Sequence, residues 1–428
     1  MKKCIVIGGG VAGLSAAAYL VKHKFRVTLV ESSPKLGGRA YSFSDQKTGS
    51  SIDNGQHILM GCYNNTLRFL KLIGAQDNFI YQKNLEVNFL KPGNKLVRLK
   101  SFPVFYPLNL LLALLNFKAF SISERFSVLF FMIKFPFVSH QKLVNRNVKD
   151  WLEENHQSKN VISSLWEMIA VGALNTNIKK ASALIFHEIL MRIFFKGNFS
   201  STIILPKYSL TESYVTNAKD FIEEDHGEIK LSSSVDKIII ADDKAIGIKI
   251  NGEAFYDFDF LISAVSFYSL QKIIPGNILD NNISFEYSSI LNIHIWLKNN
   301  PLPESFYGLI DSPVHWIFNK KDHLNFVVSD ADYLMNKSSE EIFEMCTTEL
   351  KKYTGIDGSE IIEYKILKEK RATFIPTNNI IYSRPVSKTK IKNLFLAGDW
   401  TDTGLPSTIE SAAKSGRIAA ELIVESKI

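Results

Sequence analysis

The residues best suited to chemistry stand at the start of the chain. Gly8, Gly10 and Gly13 have the spacing G-x-G-x-x-G, and Glu31 follows the last of them by 18 residues. In such a loop the first glycine permits a tight turn and the second lets a pyrophosphate approach the backbone. The third lets a helix pack on a strand. Ala12 lies in the same loop. The phosphate would sit at the helix N-terminus, where free N–H groups and the dipole favour negative charge. Glu31 would accept hydrogen bonds from a ribose. The chemistry implied is dinucleotide binding.

Three glycines alone are a weak signal, and the elements around them supply the context. Lys3–Ile7 reads as an apolar strand, the glycine loop opens a helix to about His23, and 26–31 reads as a second strand ending in the acid. This is a βαβ opening. Further on, 234–240, 245–250 and 253–255 read as a meander, with turns at Asp242-Asp243 and Asn251-Gly252. A buried strand follows at 260–264, and a strand at 393–397 precedes a helix from about Ser407 to Val424. Residues from about Tyr81 to Pro206 read as mostly helical, and 271–385 as mixed.

With 428 residues the chain is long enough for two lobes. The expectation is an α/β fold: a Rossmann-like dinucleotide domain built from 1–80, 207–270 and 386–428. An α+β substrate domain, from 81–206 and 271–385, is interleaved with it. Cys4, Cys62 and Cys346 have no CxxC spacing, which argues for a reducing, cytoplasmic compartment and against a disulfide framework. Lys2 and Lys3 ahead of an apolar run resemble a secretory signal, but a cleaved leader has no use for the glycine spacing or Glu31. His187, His294 and His315 look isolated, and no metal spacing is evident.

The net charge of +7 is concentrated. Residues 81–150 hold 11 Lys or Arg against 3 Asp or Glu, and 10 of the 30 phenylalanines. Basic and apolar together suggest peripheral docking on an anionic membrane, at the inner face of the cytoplasmic membrane, rather than nucleic acid. The plainer alternative is a buried lobe with a basic rim. Within this region Ser121 and Glu124 form a capping-box signature. The helix that follows, through Phe126, Phe130, Phe131 and Phe137, is apolar nearly all round, hence buried or dipped into lipid. No run is long enough to span a bilayer.

Gly37-Gly38-Arg39 after the second strand, and Gly398-Asp399-Trp400 near the end, resemble flavoproteins of the amine oxidase and carotenoid desaturase superfamily (the GR2 type). That resemblance implies non-covalent FAD. Arg39 would neutralise phosphate, Gly38 would line the same turn, and Gly398 with Asp399 would address the ribityl–pyrophosphate region. Val235 would meet the adenine through its backbone. The helix starting at Thr408 and Ile409 would aim its N-terminus at the flavin, and Gly55, Gln56 and His57 would lie beside the ring.

Four further segments narrow the resemblance. They are Asp53-Asn54-Gly55-Gln56-His57 with Gly61-Cys62-Tyr63; Ala173-Leu174-Asn175-Thr176; Arg371-Ala372-Thr373-Phe374; and the run from Gly398 to Pro406. Together they resemble the hydroxysqualene dehydroxylase family. Ser407 and Ser411 depart from its pattern, where Ala and Gly are expected. The resemblance implies reductive removal of an allylic hydroxyl from hydroxysqualene, giving squalene, with reduced flavin as hydride source. The electron donor that reduces the flavin is unknown from the sequence. An apolar tunnel in the phenylalanine-rich lobe would hold the 30-carbon chain. His57, near neutral pH, or Asp53, with a pKa raised by desolvation, would donate the proton. The plainer reading is that both only shape the flavin loop. Arg371 is structural or flavin-facing, since a guanidinium cannot give up its proton at neutral pH. Two other functions stay open: an oxidative flavoenzyme of the same fold, and a non-catalytic FAD-bound lipid carrier.

Overall fold

The computed structural model describes residues 1–275, 278 and 283–426. The remaining residues of 271–385 and 386–428 lie outside what is described. Lys3–Ile7 takes the centre of a five-stranded parallel sheet because its apolar side chains are buried on both faces. Across this sheet the order is Glu228–Lys230, Arg26–Val30, Lys3–Ile7, Phe260–Ser263 and Leu394–Leu396. Strands from both ends and the middle of the chain thus share one sheet. Helix Val11–Lys22 leaves the first strand and packs against the last helix, Ile409–Glu425. Ser15 Oγ donates to the Ala413 carbonyl at 2.9 Å. A Cβ at Gly416 would meet the Ala12 carbonyl oxygen at 2.2 Å, so the two helices touch backbone to backbone.

The meander forms a separate antiparallel sheet of Val235–Ala241, Lys244–Ile250 and Glu253–Phe255. Its turns fall at Asp242-Asp243 and Asn251-Gly252, all with positive φ, as a tight hairpin requires.

A larger sheet of seven strands runs in the order Ile361–Phe374, Tyr287–Leu297, Leu324–Ser329, Trp316–Asn319, Phe306–Leu309, Glu86–Lys91 and Lys95–Lys100. Only the Phe306–Leu309 and Glu86–Lys91 pair is parallel. One face, with Leu291, Ile293, Ile295 and Phe326, packs with Ile342, Cys346 and Leu350 of helix Ser339–Thr354. Alternate residues on the other face include Asn292, His294 and Asn325, all fully buried.

The helical lobe packs on that second face through Ile290, Trp316 and Val327. Its core gathers Phe117, Val128, Phe131, Phe135, Trp151 and Trp166. Two expectations for this region are refined. The region is mostly helical, but Glu86–Lys91 and Lys95–Lys100 form a hairpin within it, turning at Pro92-Gly93-Asn94. The capping box at Ser121 and Glu124 is present, but helix Ile122–Lys134 is neither wholly buried nor wholly exposed. Val128, Phe131 and Met132 enter the core, while Ile122, Phe126, Phe130 and Ile133 face outward. No described helix is long and apolar enough to cross a membrane.

Candidate functional site

The glycine loop separates two demands. A Cβ at Gly13 would lie 1.8 Å from the Gly8 carbonyl oxygen, so the fold itself forbids a side chain there. At Gly10 the backbone is extended, and an added Cβ would meet only Gly38 Cα, at 3.7 Å. Packing gives no reason for glycine at 10. The helix that starts beside it has no side-chain cap and no acid in its first turn. Open space over uncapped N–H groups fits a phosphate. Glu31 already braces the loop, accepting from Gly9 N at 2.6 Å and Ser33 N at 2.7 Å. Its carboxylate has lone pairs left for a ribose. Ser233 N donates to the Glu31 carbonyl, which brings Val235 to the same end of the sheet.

Arg39 is the crossing point of the later segments. It pairs with Asp399 at 2.5 Å and donates to the Ala372 carbonyl at 2.6 Å, while Asn54 Nδ2 donates to the Arg39 carbonyl at 3.3 Å. Asn175, in the left-handed region at the end of helix Glu167–Leu174, donates to Thr373 Oγ1 at 3.0 Å. All four resemblance segments are therefore joined by hydrogen bonds, although more than 300 residues separate the first from the last. Ser407 donates to the Asp399 carboxylate, and Ser411 Oγ donates to the Asp399 carbonyl at 3.2 Å. The two departures thus tie Asp399 to helix Ile409–Glu425. Thr408 caps that helix, accepting from Ser411 N. Gly398 N is held by Ser415 Oγ at 2.8 Å.

The 53–57 loop bears directly on both proton-donor expectations. Asp53 is 1% exposed and paired with Lys320 Nζ at 2.9 Å. It also accepts from Ser42 Oγ, Leu210 N and Gln56 Nε2. Burial alone would raise its pKa, but Lys320 and these hydrogen bonds outweigh it and hold the pKa low. Asp53 is an anion, not an acid. His57 is pushed down to about 4, mainly by burial and also by Arg39, with Asp53 opposing. It is neutral at pH 7 and lines a small apolar cavity with Val11, Leu59, Tyr214 and Ile409. Gly55 lies against Asn292. Arg371 stacks over the Tyr268 ring at 4.2 Å.

The sequence reading missed Lys320, Asn292, His294 and His323. None sits in a local pattern; strand pairing delivers them from far along the chain. His294 is not isolated, because its Nδ1 lies 3.1 Å from His323 Nε2. His315 Nδ1 accepts from Ser329 N. Among the described residues, His140, His187 and Glu188 place possible metal-ligand atoms within 4.8 Å of one another. Two of them already form a 2.9 Å pair, His140 with Glu188, and His187 Nε2 contacts the Phe135 carbonyl.

The chain is similar to known proteins along nearly its whole length. A hydroxysqualene dehydroxylase of Zymomonas mobilis is 27% identical, over 97% of this chain and 98% of the relative. A 15-cis-phytoene desaturase of Glycine max is 23% identical, over 98% of this chain and 79% of the relative. The crystal structure of an oxidoreductase from Methanosarcina mazei superposes with a TM-score of 0.76 at 17% identity, covering 99% of this chain and 100% of that one. The model of the family described as flavin containing amine oxidoreductase matches residues 11–424. This chain belongs to the flavin containing amine oxidoreductase family and is a flavin-dependent oxidoreductase.

Proposed function

We propose that the protein binds FAD non-covalently and reductively removes the allylic hydroxyl of hydroxysqualene, giving squalene. The observation that carries the reading is the hydrogen-bond network that joins four segments typical of that family, three of them directly at Arg39 and the fourth through Thr373, supported by the chain-long similarity to a hydroxysqualene dehydroxylase. The open space at Gly10 would take the pyrophosphate, with Gly8, Ala12 and Gly13 shaping the turn. Glu31 would hold a ribose and Val235 the adenine. Gly38, Arg39, Gly398 and Asp399 would hold the middle of the cofactor. Gly55, Gln56, His57, Thr408 and Ile409 would flank the ring, where a helix N-terminus favours the charge of reduced flavin. When bound and reduced, the cofactor supplies a hydride.

The chain must do the rest: hold a long apolar substrate, exclude water and bring a proton to the leaving oxygen. The apolar lobe lies on the sheet face that carries Asn292, which serves the first two needs. Its outer surface serves substrate capture. Ile122, Phe126, Phe130, Ile133 and Phe137 are 48–86% exposed, and Lys134, Lys142 and Arg146 are exposed nearby. Such a surface suits peripheral docking on an anionic membrane, where an isoprenoid substrate dissolves.

The test is anaerobic incubation of reduced protein with hydroxysqualene, followed by lipid analysis. Squalene is the expected product. Desaturation of a polyene precursor by oxidised protein, with no squalene formed, would favour the second reading, a desaturase, which the similarity to a phytoene desaturase supports.

A further inference from the structure

Dehydroxylation consumes one proton per hydride, and the site described so far has no ready source. Asp53 is an anion and His57 is neutral. Where the turn before strand Leu324–Ser329 meets the second face of the seven-stranded sheet, three side chains stand in line. Asp322 Oδ1 lies 2.9 Å from His323 Nδ1, and His323 Nε2 lies 3.1 Å from His294 Nδ1. His323 thus uses both ring nitrogens in the line, and His294 has one left. That last atom, His294 Nε2, is buried and faces the Asp53 backbone without a well-aligned hydrogen bond. It lies by Asp53 and Lys320, and two residues along the same strand face Asn292 donates to the Asn54 carbonyl at 3.3 Å.

The line runs from water to the flavin loop. The Asp322 side chain is 52% exposed, whereas His323 and His294 are 2% and 0% exposed. Trp296 stacks on the His323 ring at 5.0 Å and is itself anchored by Nε1 to Ser50 Oγ. The rings are therefore held in register. Burying two imidazoles in line, with the inner one only loosely bonded at its far nitrogen, adds little to stability.

We propose that Asp322, His323 and His294 form a proton relay from the surface to the 53–57 loop, supplying the proton that the leaving hydroxyl takes. Its use in catalysis rests on the dehydroxylase reading; its conduction does not. A proton captured at Asp322 moves to His323 Nδ1, the His323 Nε2 proton moves to His294 Nδ1, and the His294 Nε2 proton is released toward the loop. At the substrate the carbon–oxygen bond breaks. The oxygen keeps its own hydrogen, gains the relay proton and leaves as water, while the carbon takes a hydride from reduced flavin. One proton enters and one is consumed.

Two measurements on the holoenzyme test this. In protein labelled with ¹⁵N-histidine, NMR follows exchange of the ring N–H groups with D₂O. Asp322→Asn, a conservative surface change, should slow exchange at His294 by about tenfold or more, a barrier change of about 1.4 kcal/mol. Unchanged exchange overturns the relay whatever the substrate. The second measurement is single-turnover squalene formation in Asp322→Asn and His294→Gln. The His294 variant should be slower by on the order of 10²-fold with flavin content unchanged, and the Asp322 variant should be slowed in step with its exchange rate. Wild-type rates in both variants would overturn the relay and leave the dehydroxylase reading standing. Asp322-dependent exchange in a protein that makes no squalene would support the relay and reject that reading.

Discussion

The two main sheets bury their interiors in opposite ways. In the five-stranded sheet Val6, Val27, Leu29, Leu261 and Ile262 leave almost no polar side chain inside, and Ser263 Oγ is its one unpartnered atom among the described residues. The seven-stranded sheet has a comparable apolar face, but its other face buries Ser288, Asn292, His294 and Asn325 at 0–1% exposure. Ser288 Oγ and Asn325 Oδ1 carry no partner, and His294 Nε2 faces the Asp53 backbone without a well-aligned bond. Buried polar groups are normally satisfied, so orphans gathered on one face mark where a fold is asked for more than stability. The first sheet is scaffold, and the proposed cofactor contacts are confined to the loops at one end. The second would carry chemistry in its interior, through the proposed relay.

The largest effects should come from the glycine loop, where scaffold and site can be separated. Gly13→Val should wreck the first sheet, since its side chain would overlap the Gly8 carbonyl. A loss above about 3 kcal/mol is expected. Gly10→Val should leave the apoprotein's unfolding midpoint nearly unchanged while abolishing flavin binding, because only open space lies beyond it. Thermal unfolding of apoprotein and flavin absorbance per chain distinguish the two. A flavin-replete Gly10→Val protein would remove the phosphate assignment.

That contrast also shows what sequence can carry. Lys3–Ile7 and Glu253–Phe255 are found residue for residue, because an apolar run and an Asn-Gly turn are local signals. The hairpin Glu86–Lys91 and Lys95–Lys100 stands unannounced within a mostly helical region, although Pro92-Gly93-Asn94 marks its turn; its inner partner, Phe306–Leu309, lies more than 200 residues on. Lys320 beside Asp53 and His323 beside His294 have the same origin. No spacing rule reports a contact that exists only once strands have paired.

Acid should expose the difference between the sheets more gradually. Burial pushes His57 and His315 down to about 4 and His294 to about 3, with His323 adding to the shift at His294. A histidine whose folded pKa is depressed stays neutral in the native state, while the unfolded chain takes up a proton below about 6.5. Its contribution to stability is therefore full above pH 6.5 and is lost as pH falls toward the folded value. Each ring should steepen the loss by about 1.4 kcal/mol per pH unit within that window. Urea unfolding of apoprotein between pH 7 and pH 5 measures it, and His315→Phe should make the profile shallower. A flat profile would mean that the rings accept protons in the folded state, against the buried character of the second sheet.

Outside both sheets, the helical lobe allows a similar separation of surface from core. Phe130 and Phe137 are 59% and 86% exposed, whereas Phe131 packs among Phe135, Trp151 and Trp166 at 5.3–5.6 Å. The double change Phe130→Ser and Phe137→Ser should weaken binding to anionic vesicles by about tenfold or more, since each phenylalanine buried in lipid is worth about 1.5–3 kcal/mol. Flavin content and stability should hold. Binding should also fall as salt rises. Phe131→Ser should instead destabilise the lobe, and equal vesicle binding by wild type and the surface variant would reject docking through this stripe.

The smallest expected effect lies at Ser411, where a departure from the family pattern is visible in sequence but its meaning is not. A serine replacing the expected glycine suggests a helix pressed closer to the flavin. In the structure the hydroxyl points instead into the protein, contacting the Asp399 carbonyl at 3.2 Å and Thr403 Oγ1 at 2.6 Å, with the residue fully buried. It fastens the Gly398–Asp399 turn to the helix that Thr408 caps. Ser411→Gly should therefore cost about 1 kcal/mol for the lost hydrogen bond and up to about 1 kcal/mol more for glycine in a helix. Flavin affinity should stay within a few-fold, since Ser407 and Arg39 still hold the Asp399 side chain. Urea unfolding and flavin titration separate the two quantities. Tighter flavin binding with undiminished stability would show that the serine crowds the cofactor, and that the scaffold reaches the ring more directly than its hydrogen bonds suggest.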